Sequence, residues 1–123
     1  APGAHAAPRL AGTVGLRPDG TGSAEIGYLL APDCRGRGYA TTAVRTVLRH
    51  ALHPDGMGLR RVVWRAVPGN WASRRVAERS GIRVEGTIRG EMLQRGEARD
   101  AWLGTIVAGD PIPPDPIPPE PAR

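Results

Sequence analysis

Apolar positions recur along this chain with two different periods, and the changes of period mark its elements. Residues 10–16 (LAGTVGL) and 23–30 (SAEIGYLL) are short runs of strand character. Between them, Arg17, Pro18, Asp19, Gly20, Thr21 and Gly22 are turn formers, so the two runs predict a hairpin. From Tyr39 the spacing becomes helical: Ala40, Ala43, Val44, Val47, Leu48, Ala51 and Leu52 fall three and four apart. Arg45, Thr46, Arg49, His50 and His53 take the other face, and Pro54, Asp55 and Gly56 end the helix. Residues 60–67 (RRVVWRAV) are rich in β-branched residues and short enough for a buried strand. Asn70 is a good N-cap for a second helix over 71–80, and Gly81 suits its C-terminal stop. Residues 82–94 and 97–107 predict two strands joined at Arg95 and Gly96.

The expected order is therefore β-β-α-β-α-β-β, an α/β class with a mixed, mostly antiparallel sheet flanked by helices. Residues 1–9 read as an unstructured lead, 10–108 as one domain, and 109–123 as a proline-rich, polyproline-like tail without fixed structure. The 123 residues suit one domain rather than two.

Composition narrows the chemistry. A single cysteine, Cys34, leaves no intrachain disulfide and no cysteine-rich zinc site, and points to a reducing, cytoplasmic compartment. No apolar run approaches the ~20 residues of a membrane span. With no Phe in the chain, Trp64, Trp71 and Trp102 are expected to serve as packing. The net charge is +5, and all 17 basic residues are arginine. Without lysine a Walker A loop is excluded. A positive balance fits a polyanion or a phosphate-bearing small molecule.

The stretch with most chemical content is 28–40 (YLLAPDCRGRGYA), where a strand runs through a Gly-rich loop directly into a helix. The first amides of a helix lack intrahelical partners, and its dipole is positive at that end. Glycines allow close backbone approach, so the segment is a ready pyrophosphate site, with Arg35 and Arg37 adding full charges. It is not the dinucleotide fingerprint, because Thr41 stands where a third glycine is needed.

Arg35, Gly36, Arg37, Gly38, Tyr39 and Ala40 resemble the Gln/Arg-x-x-Gly-x-Gly/Ala motif of the GCN5-related N-acetyltransferases (GNAT). Asn70, Trp71, Ala72 and Ser73, followed by Glu78, Arg79, Ser80, Gly81 and Ile82, are similar to the second motif of that family. Residues 24–28 (AEIGY) and 95–101 (RGEARDA) add weaker likenesses, the last to the branch of ribosomal-protein N-terminal acetyltransferases. The resemblance covers roughly residues 10–107 and its motifs stand in the family order. It implies a GNAT fold that lacks the family's N-terminal strand and two helices. With that unit missing, one sheet face is expected to lie open and the chain to form homo-oligomers or to be poorly soluble.

The resemblance also implies acetyl-CoA as co-substrate, no metal, and an amine acceptor, either a protein N-terminus or a small molecule. By position, Arg35, Gly36, Arg37, Gly38, Tyr39 and Ala40 would hold the pyrophosphate. Backbone groups of Tyr28, Leu29 and Leu30 would pair with the pantetheine where two strands splay. Asn70 would touch the pantetheine, and Arg75 would reach the 3′-phosphate. Ser73 is the candidate acid for the departing thiolate, because the family's tyrosine position holds Ala77. Glu25 is the candidate for acting as, or orienting, the general base, with Glu91 and Asp100 as alternatives. His50 and His53 read as a surface pair without a third metal ligand. Two other readings remain: a CoA-binding remnant without turnover, and a basic nucleic-acid-binding module. The scatter of the arginines and the lack of a nucleic-acid motif weigh against the second.

Overall fold

The computed structural model describes residues 12–30 and 38–115. Five strands form one sheet: β1 (Gly12–Pro18), β2 (Ser23–Leu30), β3 (Arg61–Ala66), β4 (Arg83–Gln94) and β5 (Glu97–Val107). Two helices, α1 (Tyr39–Leu52) and α2 (Trp71–Arg79), interrupt them. The order in space is β1-β2-β3-β5-β4, and only the β2–β3 pair is parallel. The element order and the mixed, mostly antiparallel sheet are those expected from the apolar pattern.

Both helices cover one face. Val44, Leu48, Ala51 and Leu52 of α1 and Ala77 of α2 join a core with Ala24, Ile26, Val62, Trp64, Ala66 and Ile106 of the strands. In each strand these are alternate residues, as the pleat requires. Fully burying a side chain such as Leu48 or Ile106 contributes roughly 1.5–3 kcal/mol. Side chains on the other face include Arg17, Glu25, Arg61 and Arg65, and no helix among the described residues lies over them.

Local chemistry sets the element ends. The Asp19 carboxylate accepts from the Thr21 amide (2.8 Å) and hydroxyl (2.7 Å), which closes the first hairpin. Those bonds hold its carboxyl below the usual range. At the second hairpin Arg95 and Gly96 both have positive φ (52° and 80°), as a type I′ turn needs. Helix α2 opens on Asn70, whose Oδ1 accepts from the Ser73 amide at 3.2 Å. It closes in a Schellman motif: the Ile82 amide bonds Ala77 O and the Gly81 amide bonds Glu78 O. Gly81 has φ 96°, and a Cβ there would sit 2.7 Å from Pro111 O.

Two placements differ from the sequence expectation. Trp64 is core (1% exposed), but Trp71 is 51% exposed and meets Trp102 edge-on at 4.9 Å. The helix stripe of α2 faces the sheet through Ala77 and Val76, which turns the first residue of the helix outward. Residues 110–115, read as part of an unstructured tail, lie against the helices. Ile112 packs on the core, Arg45 Nη1 donates to Pro114 O (3.0 Å) and Asp115 Oδ1 (3.2 Å), and Arg49 donates to Pro113 O (2.9 Å). Nothing in the local proline pattern encodes this contact, because its partners lie on α1.

Candidate functional site

The site is built where β2 and β3 part. They pair only from Ser23–Arg61 to Ile26–Trp64. Beyond that rung β2 continues along β1 as far as Leu30, and β3 continues along β5 as far as Ala66. The β2 edge over Gly27, Tyr28, Leu29 and Leu30 therefore faces no strand among the described residues. Its backbone groups on that side are free to pair with an inserted chain. Leu29 is 70% exposed beside this opening.

Helix α1 begins immediately past β2 and its connecting segment. Gly38 precedes it in the left-handed region (φ 77°), and its carbonyl accepts from the Thr42 amide at 3.0 Å. Among the described residues no side chain caps this terminus, and its first turn holds no acidic residue. The amides of Tyr39 and Ala40 thus present the positive end of the helix dipole, with no carboxylate in the first turn of the helix. Arg35, Gly36 and Arg37 of the expected phosphate loop, and Cys34, lie outside the described residues.

Helix α2 brings Ser73 to the same opening, and three elements tie it there. Its amide donates to Asn70, its carbonyl accepts from the Tyr28 hydroxyl at 2.6 Å, and its Oγ accepts from Trp64 Nε1 at 3.0 Å. Tyr28 stands on β2 just past the last shared rung, and Trp64 is the β3 residue of that rung. Burial lifts the Tyr28 hydroxyl above its ordinary 10.0, with the contacts to Ser73 and Trp64 acting in the opposite sense. At neutral pH Tyr28 is therefore protonated and committed as a donor to Ser73.

On the far face, Glu25 is held by Arg65, Nη1 to Oε1 2.8 Å, and more loosely by Arg17 at 3.9 Å. The carboxylate that the sequence offers as a base is thus shared by two guanidinium groups. Asp100 accepts from the Gly90 amide (3.1 Å), inside a bulge where Arg89, Gly90 and Glu91 oppose that single residue. Glu91 and Arg75 are exposed. Two hollows flank the opening among the described residues. One of about 280 Å³ lies between β1, β2 and the start of α1; the other, of about 350 Å³, lies on the far face over Gly15, Gly27, Arg17 and Glu25. Tyr28 borders both, and no β3 residue lines either, so neither is the splay itself.

The structure thus brings Tyr28, Leu29, Gly38, Tyr39, Ala40, Asn70 and Ser73 to one end of the sheet. Glu25 stands on the opposite face. Leu30 continues β2 as the partner of Gly12. Sequence reading missed Trp64 and Arg65 as polar partners. Their one local signal was a tryptophan and an arginine directly following the two valines of a short strand.

Comparison with known proteins agrees with this geometry. The sequence model of the acetyltransferase (GNAT) domain matches residues 4–83. YdaF of Bacillus subtilis, provisionally named a ribosomal N-acetyltransferase, is 38% identical over 77 residues, covering 63% of this chain and 41% of that protein. YjcK of the same organism, provisionally named an N-acetyltransferase, is 36% identical over 105 residues, covering 83% of this chain and 57% of that one. The structure of Mycobacterium smegmatis RimJ in complex with CoA-disulfide superposes with a TM-score of 0.72 at 31% identity, over 81% of this chain and 48% of RimJ. The chain spans between 41% and 57% of the curated relatives it matches. The splayed parallel pair, the uncapped helix start and the family match lead to one assignment: this chain belongs to the GNAT acetyltransferase family, near its ribosomal-protein acetyltransferases.

Proposed function

We propose that the chain serves the transfer of an acetyl group from acetyl-CoA to a primary amine, by direct attack in a ternary complex. The observation that carries this is the opening between β2 and β3, with Ser73 fixed at its mouth and an uncapped helix start beside it. RimJ, a structural relative, is described in complex with CoA-disulfide, which supports the choice of acyl donor.

In this reading the amides of Gly38, Tyr39 and Ala40, with Arg35, Gly36 and Arg37, hold the pyrophosphate. Backbone groups of Tyr28, Leu29 and Leu30 pair with the pantetheine, and one amide polarises the thioester carbonyl. A well-placed donor of that kind contributes about 3 kcal/mol to the transition state. Asn70 caps α2 and touches the pantetheine, while Arg75 reaches the 3′-phosphate. Ser73 gives its proton to the departing sulfur. Glu25, held by Arg65, acts on or orients the proton leaving the amine. The acceptor is a protein N-terminus or a small-molecule amine, and the compartment is the cytoplasm.

Calorimetric titration with acetyl-CoA tests the reading, run beside an Arg37→Glu, Gly38→Glu double variant. Saturable binding lost in the variant is expected, followed by acetyl transfer to an amine in a screen of peptides and small amines. A folded chain that does not bind acetyl-CoA refutes it. Binding without turnover on any amine favours a CoA-binding role alone.

A further inference from the structure

We propose that Trp64 is a positioning residue that prepares the Ser73 hydroxyl to donate its proton; this rests on the acetyl-transfer reading above. A serine hydroxyl has one hydrogen to give and two lone pairs. An indole N–H only donates, so the 3.0 Å contact from Trp64 Nε1 to Ser73 Oγ occupies a lone pair and turns the hydroxyl hydrogen away from the indole. The other polar groups of Ser73 are engaged, its amide by Asn70 and its carbonyl by Tyr28.

A helical serine ordinarily spends its hydrogen on a carbonyl one turn back. Ser80, which caps the same helix, does this, donating to Val76 O at 2.7 Å. Ser73 makes no such bond to a carbonyl; the oxygen beside its hydroxyl is that of the Tyr28 side chain, at the same opening. Its hydrogen therefore stays among side-chain hydroxyls beside the opening and not on a helix carbonyl.

Trp64 is well placed to enforce this. It is 1% exposed, and it faces Gly104 across the β3–β5 ladder. A Cβ on Gly104 would come within 3.0 Å of the indole, so the missing side chain is what seats the ring. The indole is therefore fixed at the last shared rung of β2 and β3, with its N–H aimed at α2.

The chemical consequence concerns charge on Oγ. When the amine nitrogen bonds to the thioester carbon, the C–S bond breaks and the electron pair leaves with sulfur. Ser73 passes its proton to that sulfur, and negative charge grows on Oγ. The Trp64 N–H stabilises that charge in a site of low dielectric. Oγ then regains a proton, through water, from the nitrogen that has become the amide.

The test uses CoA itself and needs no acceptor. Binding is first read by calorimetry on the wild type, Trp64→Phe, Ser73→Ala and the double variant. The bound thiol is then titrated by its ultraviolet thiolate absorbance. In the wild type it titrates below free CoA. Each single variant is expected to raise the midpoint by about half a pH unit, and the double variant by no more than either. A second readout, independent of how well Trp64→Phe folds, is the Trp64 indole N–H resonance. It is expected to move in Ser73→Ala, and on CoA binding only when Ser73 is present. A Trp64→Phe titration matching wild type, an effect of Trp64→Phe that persists without Ser73, or an indole resonance indifferent to CoA overturns the proposal while leaving acetyl transfer standing. Absence of CoA binding overturns both.

Discussion

Arg65 on β3 reaches across to Glu25 on β2, 2.8 Å from Nη1 to Oε1, next to the rung where the two strands part. The pair lies on the face opposite the helices and both side chains are about one-third exposed. A pair so open to water contributes at most about 1 kcal/mol to stability. Glu25→Gln is therefore expected to change urea stability by less than that. Its effect should fall on chemistry: acetyl transfer to an amine should drop at least about tenfold if Glu25 handles the amine proton. Full turnover in the variant would remove Glu25 from the mechanism.

Arg45 joins three segments through one guanidinium. Nε and Nη2 donate to Arg79 O at the end of α2, and Nη1 donates to Pro114 O and Asp115. Its side chain is only 12% exposed. Arg45→Met keeps the stem and removes the donors, and should cost about 2 kcal/mol in chemical denaturation. Limited proteolysis should then cut within residues 109–115 faster than in the wild type. An unchanged cleavage pattern would show that Ile112 and Arg49 hold the segment without Arg45.

Gly81 carries two constraints, a left-handed φ of 96° and the approach of Pro111 O to within 2.7 Å of a built Cβ. Gly81→Ala should lower stability by more than about 1 kcal/mol, measured by urea unfolding. A substitution that strains only the backbone would cost less than one that also displaces residues 111–113.

Tyr28 makes stability depend on alkaline pH. Burial raises its folded ionisation above the 10.0 of the free side chain, so its contribution is complete below pH 10. Above that value the unfolded chain loses the proton first, and stability falls until the folded hydroxyl ionises as well. Tyr28→Phe should remove this slope and should also loosen Ser73, whose carbonyl loses its donor. Denaturation midpoints measured on both sides of pH 10 check this.

Much of the fold is legible in the residues themselves. The change of apolar period from two to 3.6 marks α1 and α2. Asn70 and Gly81 bound the second helix because one side chain accepts an amide and the other backbone turns left-handed. Arg95 and Gly96 close the last hairpin for a similarly local reason. The helix start after Gly38, proposed above to hold the pyrophosphate, is legible for a local reason too, since the first amides and the dipole belong to any helix start.

Other features appear only when distant segments meet. Glu25 and Arg65 are 40 residues apart, Arg45 and Asp115 are 70 apart, and Tyr28 and Ser73 are 45 apart. Trp64 and Ser73 are close in sequence, but their contact depends on α2 folding back over the end of β3. No local pattern encodes such pairs, because each depends on strand order, register and which helix face meets the sheet. The residues of this chain by themselves determined its element order and the ends of its second helix and last hairpin. The tertiary structure decided which carboxylate is paired with arginine, which serine receives an indole N–H, and which proline-rich residues pack, since those are properties of neighbours that only folding supplies.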